Sequence, residues 1–211
     1  RTMESIRRRL KGNPVPIQLP MGSEADFYGT IDLIGGRATV YPSDKNTGLG
    51  NDSYQEISVP TEFEDEFRSY RQAMIEKIVE TDEQLLIRYL EGEDLKEDDL
   101  RQALRKATIE RSIVPVLCGS AMHGKGVQPL LDAAIDYLPS PADVPPVEGA
   151  DPKSDESELR YPDEEGPLAA LAFKVATDPY VGRLVFLRVY SGSVKAGAGV
   201  NNVSRKGRER L

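Results

Sequence analysis

The sequence predicts a chain of mixed α and β structure laid down in successive pieces, and three observations carry that prediction. Residues 113–117 form a short apolar strand that runs into Gly119-Ser120-Ala121, a glycine-punctuated loop and an amphipathic helix stopped by Pro139-Ser140-Pro141. Ahead of this unit, short strands with glycine turns give way to segments whose apolar residues recur at steps of three and four, the period of helices buried on one face. After it, short strands and Gly-rich turns return, the pattern of a small antiparallel barrel or sandwich.

Taken in order, residues 2–11 read as a helix. Ile6 and Leu10 lie one turn apart, and Arg7, Arg8, Arg9 and Lys11 crowd its C-terminal end, where positive charge suits the helix dipole. Gly12-Asn13-Pro14 stops it, and the arginine run reads as a solvated helix end rather than an RNA site. Residues 15–19 form an apolar strand between two prolines. Residues 27–34 and 37–41 form a hairpin around Gly35-Gly36, whose freedom at positive φ suits a two-residue turn. Residues 42–53 read as a polar loop and 54–59 as a further strand.

Thr61 and Glu64 have the spacing of a capping box, and the helix they open carries the stripe Phe63, Phe67, Tyr70, Met74, Ile75 and Ile78. At this spacing such a stripe is core rather than a cofactor contact. Residues 82–90 form a second helix, with Leu85, Leu86, Tyr89 and Leu90 inward and Gly92 ending it. Residues 97–111 form a third, with Leu95 and Leu100 placed as a hydrophobic staple and Lys96 an unsuitable N-cap. From Glu62 to Asp99 there are fourteen Asp/Glu against five Lys/Arg. That excess reads as a solvated face, or else as a docking surface for a basic partner. No two of these carboxylates share an apolar setting that would split their pKa values for acid–base work.

Pro139, Pro141, Pro145 and Pro146 make a stiff connector. Residues 148–166 hold eight Asp/Glu against Lys153 and Arg160 and read as an unpacked surface loop. Strands follow at 168–176, 184–191 and 200–203, with Asp178-Pro179-Tyr180 and Gly182 turning the chain between the first two. About 45 residues are too few to close a barrel.

Bulk properties exclude several classes. The 211 residues allow one large or two small domains, and 39% hydrophobic content is enough for a packed core. A net charge of −8 argues against a domain that holds nucleic acid by bulk electrostatics, DNA included. No apolar run is long enough to span a membrane. One cysteine makes neither an internal disulfide nor a cysteine zinc cage, and there is no secretory signal, so a cytoplasmic setting is expected. The chain opens on Arg1 and stops just after strand-like sequence, so it reads as an internal piece of a longer protein.

The usual catalytic patterns are absent. There is no G-x-x-x-x-G-K-[ST] phosphate loop, no H-E-x-x-H, no C-x-x-C and no G-x-S-x-G elbow. Gly197-Ala198-Gly199 lacks the third glycine and the strand-to-helix setting of a dinucleotide loop. Cys118 reads as a small apolar residue at a strand end, and His123, the one histidine, has no partner for a metal site or triad. Gly119-Ser120-Ala121 remains. Ligands of α/β sheets bind beyond the carboxyl ends of strands, and small residues there let backbone N–H groups come close. The Ser120 hydroxyl is placed to brace the turn. An N–H aimed at a ring carbonyl accepts guanine, whose O6 is an acceptor, and rejects adenine, which carries an amino donor at that position. Pro115 removes a ladder donor, which predicts an edge strand.

Longer strings carry a family resemblance. Asn13-Pro14-Val15-Pro16-Ile17-Gln18, Phe27-Tyr28-Gly29-Thr30-Ile31-Asp32-Leu33, Cys118-Gly119-Ser120-Ala121, Lys125-Gly126-Val127-Gln128-Pro129-Leu130-Leu131-Asp132-Ala133 and Asp136-Tyr137-Leu138-Pro139-Ser140-Pro141 occur in this order. So do Leu171-Ala172-Phe173-Lys174-Val175 and Arg188-Val189-Tyr190-Ser191-Gly192. In combination they resemble elongation factor G, the translational GTPase that drives translocation on the ribosome.

The resemblance implies a fold and a function. Residues 1–14 and 113–141 would be the end of a P-loop GTPase domain. Residues 15–112 would be an inserted α+β subdomain, 142–167 a linker, and 168–211 the start of an incomplete antiparallel β-barrel, the second domain. Ser120 and Ala121, with Met122 beside them, would be the guanine side of the GTP or GDP site. Mg²⁺ would belong to the whole protein, and this segment would carry no catalytic residue and no metal ligand. The family's phosphate loop, switches, catalytic histidine and Asn-Lys-x-Asp motif have no counterpart here, and His123 is not that histidine. The implied partners are the ribosomal stalk, through the inserted subdomain, and small-subunit ribosomal RNA, through the second domain. Local departures are Met122-His123-Gly124-Lys125 in place of Phe/Leu-Lys-Asn-Lys, Ala198 in place of Asp, and Lys96 in place of a capping Thr. The alternatives are a ribosome-protection or release-factor type of translational GTPase, and a non-enzymatic acidic protein-binding module. The intact strings at 125–133 and 136–141 count against the first, and the second leaves the pattern at 119–141 unexplained.

Overall fold

A computed structural model describes residues 2–41, 54–151 and 154–211; the polar loop predicted at 42–53 lies outside them. The described residues carry five α-helices and several small, mostly antiparallel sheets, a mixed α/β architecture. They divide into two compact units, Arg1–Leu138 and Pro139–Leu211. No helix among them is long and apolar enough to cross a membrane.

The first unit opens with α1, Thr2–Leu10, which buries no residue. Lys11 ends it by turning to φ 52°, one residue ahead of the expected glycine. The apolar run at 15–19 is not one strand. It splits into β1, Pro14–Pro16, and β2, Gln18–Met21, which belong to different sheets. Ile17 is the switch point: its N–H donates to the Val116 carbonyl, and its own carbonyl accepts from Leu33, both at 3.0 Å. Pro14 and Pro16 have no N–H to extend the first ladder. The period of two survives the switch, so Val15, Ile17, Leu19 and Met21 are all buried.

β2 continues into a four-stranded antiparallel sheet with β3, Gly29–Asp32, β4, Arg37–Val40, and β5, Gln55–Ser58, in that order. Asp32 faces Arg37, so the hairpin turn has four residues, 33–36, rather than the two expected. The Asp32 carboxylate is the reason. It accepts from the Ile34 and Gly35 N–H groups, and only Gly36 of the glycine pair takes positive φ, 67°. Leu33 and Ile34 thereby turn into the core, and Arg71 donates to both of their carbonyls.

The helical layer covers this sheet. Thr61 does not cap: it lies inside a 3₁₀ turn, Thr61–Phe63, and α2 begins at Glu64 and runs to Val79. Its buried face is Met74, Ile78 and Val79, while Tyr70, roughly 180° round the helix from Val79, is exposed. α3, Glu83–Leu90, is capped by Asp82, whose carboxylate accepts from the Leu85 N–H at 3.2 Å. Leu85 is buried, but Leu90 lies roughly 140° away from it and is exposed. α4, Glu97–Ile109, buries Leu100, Ala103, Leu104 and Ala107. Lysine has no acceptor to give as an N-cap, so only the return half of the box forms: Asp99 accepts from the Lys96 N–H at 3.3 Å. One core joins these helices to β1, β2, β3, Ile113 and Tyr137.

β6, Val114–Val116, pairs in parallel with β1, Pro115 facing Val15, and among the described residues it has no second partner. That edge position is what a strand proline requires. α5, Val127–Tyr137, buries only Tyr137 and leaves Leu130, Leu131 and Ile135 exposed.

The second unit is built from hairpins. The acidic stretch expected to be an unpacked loop contains one: β7, Val147–Ala150, pairs with β8, Ser157–Arg160. Backbone pairing does not need apolar faces, and Ser157 donates across the pair to Glu148 at 2.7 Å. β9, Ala169–Asp178, pairs with β10, Gly182–Ser191, around a turn held by the Asp178 carboxylate, which accepts from the Tyr180 and Val181 N–H groups. β11, Gly199–Asn202, pairs with β12, Gly207–Arg210. No closed barrel forms among the described residues.

Candidate functional site

The carboxyl end of β6 delivers the loop that contains Ser120, Ala121 and Met122. Two glycines shape it. Gly119 and Gly126 approach so closely that a Cβ on Gly126 would lie 2.8 Å from the Cys118 carbonyl oxygen and 3.0 Å from the Gly119 Cα. Between them Ser120 and Lys125 form an isolated bridge: Ser120 N–H donates to Lys125 O at 2.8 Å, and Lys125 N–H returns to Ser120 O at 3.1 Å. Inside it, Ala121–His123 make a single 3₁₀ turn, closed by Gly124 in the left-handed region. The Ser120 hydroxyl makes no capping bond, so the main chain holds the turn.

This closure leaves two donors over. The His123 and Gly124 N–H groups are used inside the turn, whereas among the described residues the Ala121 and Met122 N–H groups meet no acceptor. They are the orphan donors that the start of any helical turn presents. Ala121 is exposed, and Met122 is 97% exposed, with its side chain clear of the core. The loop brings all three predicted residues together, but only Ser120 is part-buried.

Neighbours of the loop went unread in the sequence. The Lys125 ammonium reaches across to the Phe27 carbonyl at 2.7 Å. The Tyr41 hydroxyl is buried beside Thr30, Cys118 and the Gly126 backbone, with no well-formed hydrogen bond among the described residues, and burial raises its pKa. A backbone carbonyl as partner leaves no trace in residue types, so Lys125 offered only its place between two glycines. At the other end of α5, Arg105 donates to the carbonyls of Ile135, Asp136 and Leu138. Arg101 joins Glu97 at 2.7 Å to the Tyr137 hydroxyl at 3.2 Å. Burial disfavours the Arg101 charge, but Glu97, Tyr137 and Asp32 outweigh it and raise its pKa. Arg101, Arg105, Ile135, Asp136 and Tyr137 line an open groove of about 530 Å³ between α4 and α5.

No group of three or more His, Cys, Asp or Glu among the described residues could hold a metal. His123 is exposed, and burial pushes the Cys118 thiol up to about 11. Alkylation of Cys118 by iodoacetamide at pH 8 is therefore expected to run roughly 100-fold slower than that of an unhindered thiol. A rate within fivefold of the same chain in urea would contradict the burial. On the acidic faces part of the charge is consumed internally: hydrogen bonds from Arg88 lower the pKa of both Glu93 and Asp99.

Fold and site together define a mixed α/β chain with an exposed strand-end loop that offers backbone donors. No family model matches the sequence. The chain is similar to a Thermus thermophilus protein of known crystal structure, at 33% identity and a TM-score of 0.71 over 99% of this chain. The match covers 27% of the Thermus protein, so this chain spans about a quarter of its length.

Proposed function

We propose that the chain is a segment of a translational GTPase of the elongation factor G type, with the 119–122 loop on the guanine side of its nucleotide site. The observation that carries this is the pair of unpartnered N–H groups of Ala121 and Met122, held on a loop whose ends are locked by Gly119 against Gly126. Two adjacent donors at the carboxyl end of a strand suit a ring carbonyl oxygen, and an amino group in that place would meet them donor to donor. The exposed apolar face of α5 and the open side of β6 add support, since a larger α/β domain has strands to lay against both.

In this reading residues 1–14 and 113–141 belong to the P-loop GTPase domain, 15–112 to its inserted subdomain and 168–211 to the second domain. The parent protein works in the cytoplasm, with the ribosomal stalk and small-subunit RNA as partners. GTP, with Mg²⁺, would be the substrate of that protein, and cleavage of its β–γ phosphoanhydride bond by water would drive tRNA and mRNA movement. This segment contributes base contact only, because positioned phosphates, metal and an oriented water all need residues that it lacks.

Two measurements test the reading. The coding sequence immediately upstream of Arg1 is expected to encode an Asn-Lys-x-Asp motif within a few tens of residues, and its absence there would sink the assignment. Isothermal titration of the 211-residue chain with GTP is expected to show no binding. Micromolar affinity would overturn the claim that the segment carries only one wall of the site.

A further inference from the structure

We propose that Lys125 is a positioning residue for the Ser120–Met122 loop, tying it to the four-stranded sheet; its role toward a nucleotide rests on the guanine-side reading above. Lys125 is joined to two parts of the fold at once. Its main chain makes both hydrogen bonds of the bridge to Ser120, at 2.8 and 3.1 Å. Its side chain crosses 98 positions of sequence to donate to the Phe27 carbonyl at 2.7 Å, in a part-buried setting just ahead of β3. An ammonium has three donors and no acceptor, and a charged donor makes the stronger kind of hydrogen bond.

The surroundings explain why this bond sets the loop's geometry. Gly124 and Gly126 both sit at positive φ, 66° and 78°, so Lys125 belongs to neither a helix nor a named strand that would fix its direction. The far end of α5 is already anchored by Arg105 and Arg101 from α4. The Lys125–Phe27 bond anchors the near end. Tyr41 packs beside the adjoining Gly126 backbone. Through this bond the sheet determines where the Ala121 and Met122 donors point, although Lys125 itself is not one of those donors.

Amide hydrogen exchange on the 211-residue chain tests the tether. Lys125→Ala is expected to speed exchange at Ser120, His123, Gly124 and residue 125 at least tenfold, while Leu104 and Ala107 in α4 keep their protection. Lys125→Arg, whose guanidinium can reach the same carbonyl, is expected to restore loop protection to within about threefold of the parent chain. Lys125→Met retains most of the stem and removes the donor, so it serves if the alanine variant folds poorly, and it is expected to loosen the same amides. Unchanged loop exchange in the alanine or methionine variant overturns the proposal, as does an equal rise throughout α4, which would mark general destabilisation. The exchange readout uses no nucleotide. Its failure removes the tether and leaves the guanine-side reading standing, whereas a missing upstream Asn-Lys-x-Asp motif removes that reading and with it the role of Lys125 in base contact.

Discussion

Leu104→Ala is expected to destabilise the first unit by about 3 kcal/mol, the middle of the range for truncating a buried leucine. It should lower the thermal midpoint by about 10 °C for a unit of this size. Leu104 is fully buried at the centre of α4, and α4 packs against α2, α5 and β6. The loss therefore combines the transfer of the removed methyl groups with a cavity that three neighbouring elements must partly close. Leu90→Ala supplies the contrast: that side chain is 74% exposed, and its truncation is expected to change stability by no more than about 0.5 kcal/mol. Urea unfolding followed by circular dichroism separates the two. A cost below about 1 kcal/mol at Leu104 would mean that α4 is not part of a packed core.

Gly126→Ala is expected to cost about 3 kcal/mol, and to do so at the candidate site itself. Two independent penalties act. A left-handed backbone costs a non-glycine residue about 1–2 kcal/mol. The added methyl also meets the Cys118 carbonyl at 2.8 Å and the Gly119 Cα at 3.0 Å, both backbone atoms that cannot swing aside. Relief requires the loop ends to part, which opens the Ser120–Lys125 bridge. Gly124→Ala carries the first penalty without the second, since nothing lies within 4 Å of its Cβ direction, so about 1 kcal/mol is expected there. Equal effects at the two glycines would show that close approach contributes nothing to the loop.

The sequence was legible where local chemistry and periodicity agreed. The helix read at 97–111, with Leu95 and Leu100 about its start, formed as α4, and Pro115 placed β6 at an edge. It misled where tertiary partners intervened. The run from Val15 to Leu19 looks like one strand because its alternation never breaks, yet its prolines and Ile17 divide it between two sheets. Gly35-Gly36 matches a two-residue turn, but the Asp32 carboxylate gathers the N–H groups of a longer one. At the candidate site Ser120 and Ala121 were readable as small groups beyond a strand, whereas Met122 came only with the family resemblance. The Lys125–Phe27 bond was not readable, because its acceptor is a main-chain oxygen that any residue supplies.

The parallel pairing of β1 with β6 also governs the order of assembly. Val15 meets Pro115 only after the intervening chain, on the order of 100 residues, has been brought back on itself, and the entropy of closing so long a loop must be met before the pair returns any energy. The hairpins of the four-stranded sheet and the helices α2 to α4 have near neighbours in sequence and escape that barrier. In refolding, protection should therefore reach the sheet and helical layer first and the Ser120 loop last, so that the surface offering the two free donors is completed only once the segment between the paired strands has its shape.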